Sequence, residues 1–247
     1  MTSLATQPAA SDNAPTVAAV EVEQLRKSYD DKRVLRDLSF RIPQGRFTAL
    51  LGANGAGKTT LLKILATLLP PTSGKIPLLG PHPQRECAKT RARLGLIGHY
   101  AMLYRDLSPL ENLVFFGGLY GVPAPEKRAR ELLSYVELAD RADDPVKTFS
   151  RGMVQRVSIA RALMHDPDLL LADEPFAGLD APSTRLLEEM LTRLSGAGKT
   201  IVLCNHDIEQ SLRLVEHVLV LRKGALIRDE AAAGVDAEMI LREVAHA

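Results

Sequence analysis

A glycine-rich run near the start of the chain restricts its fold more than any other feature. The run fits the pattern Gly-x-x-x-x-Gly-Lys-Ser/Thr at every fixed position and comprises Gly52, Ala53, Asn54, Gly55, Ala56, Gly57, Lys58, Thr59 and Thr60. Glycines in this pattern let backbone N–H groups surround phosphate oxygens, while Lys58 reaches the β- and γ-phosphates and the Thr59 hydroxyl is placed to bind Mg²⁺. The run therefore predicts a nucleotide-binding site.

The segments on either side of this run favour the same interpretation. Residues 47–51 form a short apolar segment typical of a buried strand, and residues 58–69 have helical character. Phosphates bound by the run would lie at the N-terminus of that helix, where N–H groups and the helix dipole favour negative charge. The alternative is a plain glycine turn between a strand and a helix.

The composition is ordinary for a soluble protein, and the chain is long enough for one large α/β domain or two small ones. The 247 residues are 46% hydrophobic and 25% charged, and a net charge of +1 gives no field to attract nucleic acid or an anionic membrane. No apolar stretch approaches the ~20 residues that cross a bilayer. Residues 1–18 lack the parts of a secretory signal and are predicted to be a disordered lead. Cys87 and Cys204 have no metal-ligand spacing, so we expect two reduced thiols.

Hydrophobic patterning, turn residues and helix caps predict a mixed α/β order of elements. The predicted strands are two at 20–42 that turn at Asp30-Asp31, then 47–51, 75–79, 94–97, 169–172, 200–204, and a hairpin at 218–228. The predicted helices are 58–69, 109–120, 125–138, 150–164, 182–194 and a short tail after the hairpin. The middle third of the chain is therefore helical, with strands on both sides.

Two acidic residues follow a buried strand in the second half of the chain. Residues 169–172 are apolar, and Asp173 and Glu174 come directly after them. With a phosphate loop upstream, Asp173 is predicted to lie near the Mg²⁺ shell, and Glu174 to orient or deprotonate the attacking water. The alternative is a strand that ends in solvated charges.

With these motifs, residues 19–230 resemble the ATP-binding subunits of ABC transporters. The resemblance implies an α/β P-loop NTPase fold of ABC type, with a mixed-sheet core, an antiparallel β subdomain and a helical subdomain inserted at about 99–165. It implies ATP hydrolysis with Mg²⁺ at the cytoplasmic face of the inner or cell membrane. The implied partners are a second copy of the chain, which shares the ATP in a sandwich dimer, and a separate integral membrane subunit, but no nucleic acid. The implied domains are 19–232 for ATP binding and 233–247 for a helical tail.

The signature loop of that family has a counterpart at residues 149–153. Ser150 and Gly152 are kept, whereas Arg151 replaces the usual first glycine and Met153 the usual glutamine. Ser150 also fits the N-cap of the helix that follows. In the family this loop closes on the γ-phosphate held by the other copy, so the resemblance assigns Ser150 and Gly152 to nucleotide binding.

Three further positions take roles from the resemblance. Residues 177–180 match the dimer-contact loop, His206 stands at the switch histidine that touches the γ-phosphate, and Tyr29 stands at the aromatic platform for adenine. On their own, His206 would be a surface histidine and Tyr29 one more aromatic on a strand. The implied mechanism has Glu174 position the water while Mg²⁺, Lys58 and His206 stabilise charge on the γ-phosphoryl group.

One departure from the family pattern concerns a glutamine that approaches Mg²⁺. Here residues 96–99 are followed by Tyr100, and no glutamine occurs between Gln84 and Gln155. A phenol is a poor Mg²⁺ ligand. We therefore expect slower turnover or altered coupling to the membrane subunit, without loss of ATP binding.

Aromatic residues concentrate in one window of the helical section. They are Tyr100, Tyr104, Phe115, Phe116 and Tyr120. Such a cluster either packs in a core or lines a groove that binds a short helix of the membrane subunit. The sequence does not distinguish these two interpretations.

The type of exporter is indicated by one stretch. Residues 99–113, with the signature loop, most resemble the ATPase subunit of bacterial haem exporters of cytochrome c biogenesis. Exporters of drugs, polysaccharide or lipid share the Ser-Arg-Gly-Met style of signature and are the alternative. A soluble ABC ATPase is disfavoured because the chain has one ATP site and no long coiled-coil insertion, and a non-hydrolysing regulatory module because Glu174 and His206 are present.

Overall fold

Two β-sheets with surrounding helices make up the computed structural model, which describes residues 17–80, 87–98 and 100–245. The strands are β1 (Ala18–Tyr29), β2 (Lys32–Pro43), β3 (Phe47–Gly52), β4 (Ser73–Lys75), β5 (Leu94–Ile97), β6 (Leu169–Asp173), β7 (Thr200–Cys204), β8 (His217–Arg222) and β9 (Ala225–Ala231). The helices are α1 (Lys58–Leu65), α2 (Cys87–Arg91), α3 (Pro109–Leu119), α4 (Pro125–Tyr135), α5 (Arg151–Leu163), α6 (Ala181–Gly196), α7 (Ile208–Leu214) and α8 (Ala237–Ala245).

The larger sheet has the strand order β5-β6-β7-β3-β8-β9. All neighbouring pairs are parallel except β8 and β9, which form the predicted hairpin. Every residue of β6 and β7 is buried, as expected for parallel strands covered on both faces. Because the carboxyl ends of parallel strands meet at one edge, the residues after β3, β6 and β7 share that edge.

The smaller sheet has the order β2-β1-β4 and is antiparallel. Its long hairpin turns at Asp30 and Asp31, as predicted. One face packs into a core cluster that includes Val22 and Leu35 together with Leu61 of α1 and Leu171 of β6. Helix α1 is therefore held between the two sheets, which fixes the glycine-rich loop at its start. The α/β fold with a mixed sheet and an antiparallel β portion is confirmed.

Helices α3, α4 and α5 pack against each other and supply Leu113, Leu133 and Val157 to a second core cluster. Helix α3 begins with the predicted capping box: the Ser108 hydroxyl accepts from Glu111 N at 3.2 Å, and the Ser108 N–H donates to Glu111 Oε2 at 2.8 Å. The start of α5 is also as predicted, because the Ser150 hydroxyl accepts from Met153 N. The helical middle of the chain is confirmed, while the domain boundaries stay a prediction, and residues 1–16 of the expected lead lie outside the described residues.

Several predicted element ends were wrong. Helix α1 ends at Leu65 instead of residue 69, because Thr67 takes a left-handed φ of 59°. Helix α4 ends at Tyr135 for a similar reason, a φ of 57° at Glu137. The strand predicted at 75–79 is instead the three-residue β4 (Ser73–Lys75), and beyond it Leu78 forms only an isolated antiparallel bridge to Val20 of β1. The short helices α2 and α7 were not predicted.

The described helices are too short or too polar to span a bilayer. None of those within 17–80, 87–98 and 100–245 has the length and apolar character that crossing a membrane requires.

Candidate active site

The glycine-rich loop between β3 and α1 has a backbone that only glycine fits at two positions. Gly52 has a φ of 149°, and a Cβ there would lie 2.3 Å from the carbonyl oxygen of Leu221 on β8. Gly57 has a φ of 104°, and a Cβ there would lie 2.7 Å from Leu35 Cδ2 on β2. Gly57 is also the N-cap of α1 and provides no side chain to its first N–H groups. Those donors therefore point out of the helix start without a side-chain acceptor, an arrangement suited to anions.

Lys58 is the first residue of α1, and its side chain folds back over the loop. The Nζ atom donates to the carbonyl oxygens of Gly52 at 2.7 Å and Ala53 at 3.1 Å. Only 7% of the residue is exposed. The ammonium group is thus held inside the curve of the loop, where a phosphate would meet both its charge and the backbone donors.

Thr59 and Asp173 meet although they are far apart in the chain. Thr59 Oγ1 lies 3.4 Å from Asp173 Oδ1, because α1 and the end of β6 reach the same sheet edge. Among the described residues no group of three or more His, Cys, Asp or Glu side chains could hold a metal. Two protein oxygens beside a phosphate-binding loop nevertheless fit Mg²⁺, which commonly binds through one or two protein groups and completes its shell with phosphate oxygens and water.

Glu174 and His206 are the second pair that the sheet brings together. His206 Nδ1 lies 2.6 Å from Glu174 Oε2, since β6 and β7 are neighbours and each residue follows the end of its strand. The Glu174 backbone has a left-handed φ of 52°, and its N–H donates to the Cys204 carbonyl at 2.8 Å. Such backbone in a non-glycine residue costs energy and is concentrated at functional sites. The backbone from which the Glu174 side chain extends is therefore held in place, and its carboxylate contacts the His206 ring.

A cavity of about 300 Å³ opens beside these two pairs. Thr59, Asp173 and Glu174 line it, as does Tyr100, which stands where the family has its glutamine. Tyr100 is 78% exposed. Its phenol is therefore at the border of the predicted metal site, while His99 before it lies outside the described residues.

The signature-like loop at the start of α5 packs against α6 and the loop before it. A Cβ at Gly152 would lie 2.3 Å from Ser183 Oγ on α6, and a Cβ at Gly178 would lie 2.6 Å from Arg151 Cζ. The guanidinium of Arg151 thus covers Gly178 of the predicted dimer-contact loop. Ser150 is exposed at the N-terminus of α5. Ser150 is therefore available to a ligand presented from outside the chain, whereas the predicted Gly152 is buried within the first turn of α5.

Tyr29 lies at the end of β1 with 45% of its surface exposed. Lys27 Nζ is 5.0 Å from the centre of its ring. A cation in this position interacts favourably with an aromatic face. The ring is accessible, and its role as an adenine platform stays a prediction.

Sequence reasoning missed two buried polar side chains behind the site, Asn205 and Gln210, and did not place Cys204 beside them. Asn205 and Gln210 are buried and hydrogen-bonded to each other, and Cys204 is buried beside Asp173. Burial raises the pKa of the Cys204 thiol, and the negative charge of Asp173 raises it further, so the thiol stays neutral. The signal in the sequence was the polar pair Asn205-His206 directly after an apolar strand.

Four of the five aromatic side chains in the window at 100–120 are exposed, and the fifth, Phe116, is half-buried. Tyr104, Phe115 and Tyr120 are 53%, 42% and 42% exposed. The rings of Tyr104 and Phe115 meet edge to face with centroids 5.3 Å apart. Of the two interpretations left open by the sequence, core packing is therefore the wrong one for these side chains.

Comparisons with known proteins assign the chain to a family. The sequence profile of the ABC transporter family matches residues 35–177. The Nod factor export ATP-binding protein I of Paraburkholderia xenovorans is 39% identical over 225 residues, which cover 90% of this chain and 74% of that protein. The linearmycin resistance ATP-binding protein LnrL of Bacillus subtilis is 37% identical over 210 residues, which cover 84% of this chain and 68% of that protein.

A solved structure supports the same assignment. The dimeric ATP-binding cassette MJ0796, in a post-hydrolysis state bound to ADP and phosphate, superposes with a TM-score of 0.79 at 30% identity and covers 87% of this chain and 100% of that one. The fold described above is therefore that of an ATP-binding cassette. With its glycine-rich loop and paired acidic residues on that fold, the chain belongs to the ABC transporter family and carries an ABC ATPase domain.

Proposed function

We propose that this chain is the ATP-hydrolysing subunit of a membrane exporter and works as a homodimer. The observation that carries the proposal is the convergence of three features at one sheet edge: the glycine-rich loop with Lys58, the Thr59–Asp173 pair, and the Glu174–His206 pair. Each is a separate requirement of phosphoryl transfer from ATP to water.

In this proposal the loop residues hold the triphosphate. Their N–H groups and the start of α1 surround the phosphates, and Lys58 Nζ moves from the loop carbonyls to the β- and γ-phosphate oxygens. Tyr29 stacks on adenine. Thr59 and Asp173 would hold Mg²⁺, which when bound would supply charge neutralisation to the phosphate oxygens.

The hydrolytic step falls to Glu174 and His206. Glu174 orients the attacking water in line with the γ-phosphorus and accepts its proton. His206 lies against the same carboxylate and donates toward the γ-phosphate, so that it stabilises the charge that develops there. Because both groups are already positioned by the ends of β6 and β7, little reorganisation is needed at the moment of reaction.

A second copy of the chain completes the site. Ser150 and the Gly152 region of one copy close on the γ-phosphate bound to the other, at the exposed start of α5. The dimeric MJ0796 cassette, which resembles this chain over most of its length, supports this arrangement. ATP binding closes the pair, and hydrolysis reopens it.

A separate integral membrane subunit is the second partner in this proposal. The exposed patch formed by Tyr104, Phe115 and Leu119 supports a docking site for a short helix of that subunit, because aromatic anchors commonly dominate such contacts. Leu119 is 68% exposed and one helical turn from Phe115. Docking of this kind keeps the chain at the cytoplasmic face of the membrane.

Two classes of cargo follow from different observations. The relatives named for Nod factor export and linearmycin resistance favour the alternative raised by the sequence, an exporter of a drug, polysaccharide or lipid. Residues 99–113 favour haem export, but neither of these relatives supports it. We therefore propose that the export substrate belongs to the first class and is not haem.

The experiment that tests the proposal is the Glu174→Gln variant. It keeps the phosphate-binding residues but removes the proton acceptor, so hydrolysis should fall at least about a hundredfold while ATP still binds. The trapped ATP should hold two copies together, measured by light scattering in saturating Mg-ATP alongside phosphate release. A variant that stays monomeric and hydrolyses ATP at the parental rate would contradict both the role of Glu174 and the ATP-bound dimer.

A further inference from the structure

A buried series of side-chain hydrogen bonds leads from α6 to the backbone of His206. Gln210 and Asn205 are only 7% and 1% exposed. Gln210 Nε2 donates to Glu188 Oε1 at 2.8 Å, and Asn205 Nδ2 donates to Gln210 Oε1 at 3.0 Å. The His206 backbone N–H then donates to Asn205 Oδ1 at 2.9 Å. The series therefore ends at the residue whose ring contacts Glu174.

The chemistry of its two ends fixes the direction of every bond in this series. A backbone N–H can only donate, so Asn205 must present its oxygen to His206 and its NH₂ group to Gln210. Gln210 must then turn its oxygen toward Asn205 and its NH₂ group toward Glu188, whose carboxylate accepts. Reversing either amide would place like groups against each other in a buried site, at a cost of about 1–3 kcal/mol for each unsatisfied group. The series thus has one stable arrangement.

The side chain of Gln210 is not used to cap its own helix. Asp207 is the N-cap of α7, and its Oδ1 accepts from the Gln210 backbone N–H at 2.9 Å. A glutamine in this place can reach back to the N-cap backbone and close a capping box. Here the amide instead bonds to Asn205 and Glu188, so its side chain links α7 to the end of β7 and to α6.

Helix α6 begins directly after the predicted dimer-contact loop. Asp180 caps it by accepting from Ser183 N at 2.9 Å, and hydrogen bonds from the Ser183 hydroxyl and then from its N–H lower the pKa of the Asp180 carboxyl. Glu188 lies about two turns further along the same helix. The loop at one end of α6 and the backbone of His206 are therefore joined by helix α6 and three hydrogen bonds, of which the Asn205–Gln210 bond is buried and the other two are partly buried.

We propose that Gln210 is a positioning residue for ATP hydrolysis, acting through Asn205 on His206. The Gln210 side chain keeps the His206 backbone at the position from which the His206 ring contacts Glu174. It also links that backbone to α6 through Glu188. This rests on the proposed function, because it assumes that Glu174 and His206 act on the γ-phosphate. It adds a role for three residues that do not touch the nucleotide.

Because each hydrogen bond in the series has one direction, the test is to exchange the amide of Gln210 and the carboxylate of Glu188. Gln210→Glu places a carboxylate against that of Glu188, so kcat for phosphate release should fall about tenfold, equivalent to about 1.4 kcal/mol. KM for ATP should stay unchanged, because the phosphate loop is not involved. Adding Glu188→Gln to this variant restores a donor opposite the new carboxylate and should return kcat to near the parental value.

The matched control is Glu189→Gln, the next residue on α6, whose carboxylate contacts only Arg193 among the ion pairs of the described chain. It should leave kcat unchanged. Folding of each variant is checked by thermal unfolding, and exchange of the His206 amide hydrogen by NMR should be faster in Gln210→Glu and slow again in the double variant. A folded Gln210→Glu variant with parental kcat, or a folded double variant that stays slow, would overturn the proposal.

A second comparison keeps the test decisive if Gln210→Glu does not fold. Glu188→Leu removes the final acceptor at a half-buried helix position, whereas Glu188→Gln keeps an acceptor oxygen. The leucine variant should lose several-fold more kcat than the glutamine variant, and equal values would overturn the proposal. A parental chain that releases no phosphate would instead overturn the proposed function itself, and this inference with it.

Discussion

At the scale of single residues, the phosphate loop depends on backbone shapes that side chains would block. Gly52 is the clearest case, since its φ of 149° and the Leu221 carbonyl oxygen leave no room for a Cβ. Gly55 differs, because a Cβ there would meet no heavy atom within 4 Å. The contact with β8 therefore requires glycine at position 52, in addition to any requirement from a bound ligand.

We expect Gly52→Ala to destabilise the protein and to abolish ATP binding. The Cβ must displace β8 or the loop, and a forced backbone of this kind costs about 3 kcal/mol. Urea unfolding and binding of a fluorescent ATP analogue measure the two effects. Gly234→Ala is the control, because its φ is also positive, at 84°, but its surroundings are open. The control should cost about 1 kcal/mol and bind ATP normally, and parental stability in Gly52→Ala would disprove the steric argument.

At the scale of elements, two helices begin with a serine N-cap, but the two caps differ in exposure to solvent. Ser108 caps α3 inside the chain and is 5% exposed, whereas Ser150 caps α5 at an exposed surface. Both hydroxyls accept a backbone N–H three residues on. Local sequence therefore explains why each helix begins there, while the exposure of Ser150 leaves its hydroxyl available for a second role.

We expect Ser108→Ala and Ser150→Ala to have equal effects on stability and unequal effects on catalysis. Each loses an N-cap worth about 1 kcal/mol, measured by thermal unfolding. Only Ser150→Ala should slow phosphate release, by about a hundredfold, because its hydroxyl would donate to the γ-phosphate held by the second copy. Similar hydrolysis rates in the two variants would argue that Ser150 is no more than a helix cap.

At the scale of the whole molecule, the catalytic edge and the exposed aromatic patch are built by different parts of the chain. The edge lies at the carboxyl ends of β3, β6 and β7, while Tyr104, Phe115 and Leu119 lie on and before α3. Tyr100 comes shortly before Tyr104 in sequence and lines the cavity beside Thr59, Asp173 and Glu174. The segment from Tyr100 to Tyr104 therefore connects the predicted metal site with the proposed docking patch.

We expect the paired change Phe115→Ser with Leu119→Ser to release the chain from membranes. Both side chains are exposed, so stability and the ATPase rate of the isolated chain should change little. The measurement is the fraction of the chain that sediments with salt-washed membranes of its source cells. The control is Met239→Ser with Leu241→Ser, equally exposed apolar residues on α8, which should sediment like the parent. Equal sedimentation of both double variants would exclude this patch as the docking site.

The sequence by itself determined the features that depend on short stretches of chain. Backbone conformation, hydrophobic periodicity and helix caps are set by neighbouring residues. For this reason we predicted the glycine-rich loop, the strands β3, β5, β6 and β7, and the capped starts of α3 and α5. Local patterns failed at element ends such as Thr67, where a left-handed residue stops a helix that its sequence would continue.

Only the tertiary structure decided which distant residues meet. Thr59 meets Asp173, and Glu174 meets His206, because the sheet order β6-β7-β3 brings the ends of these strands to one edge, an order that no local pattern encodes. The same holds for the hydrogen-bonded series through Gln210, which spans α6, β7 and α7. Burial of each side chain likewise depends on what the rest of the chain packs against it, and this is why the exposed state of the aromatic window could not be inferred from its composition.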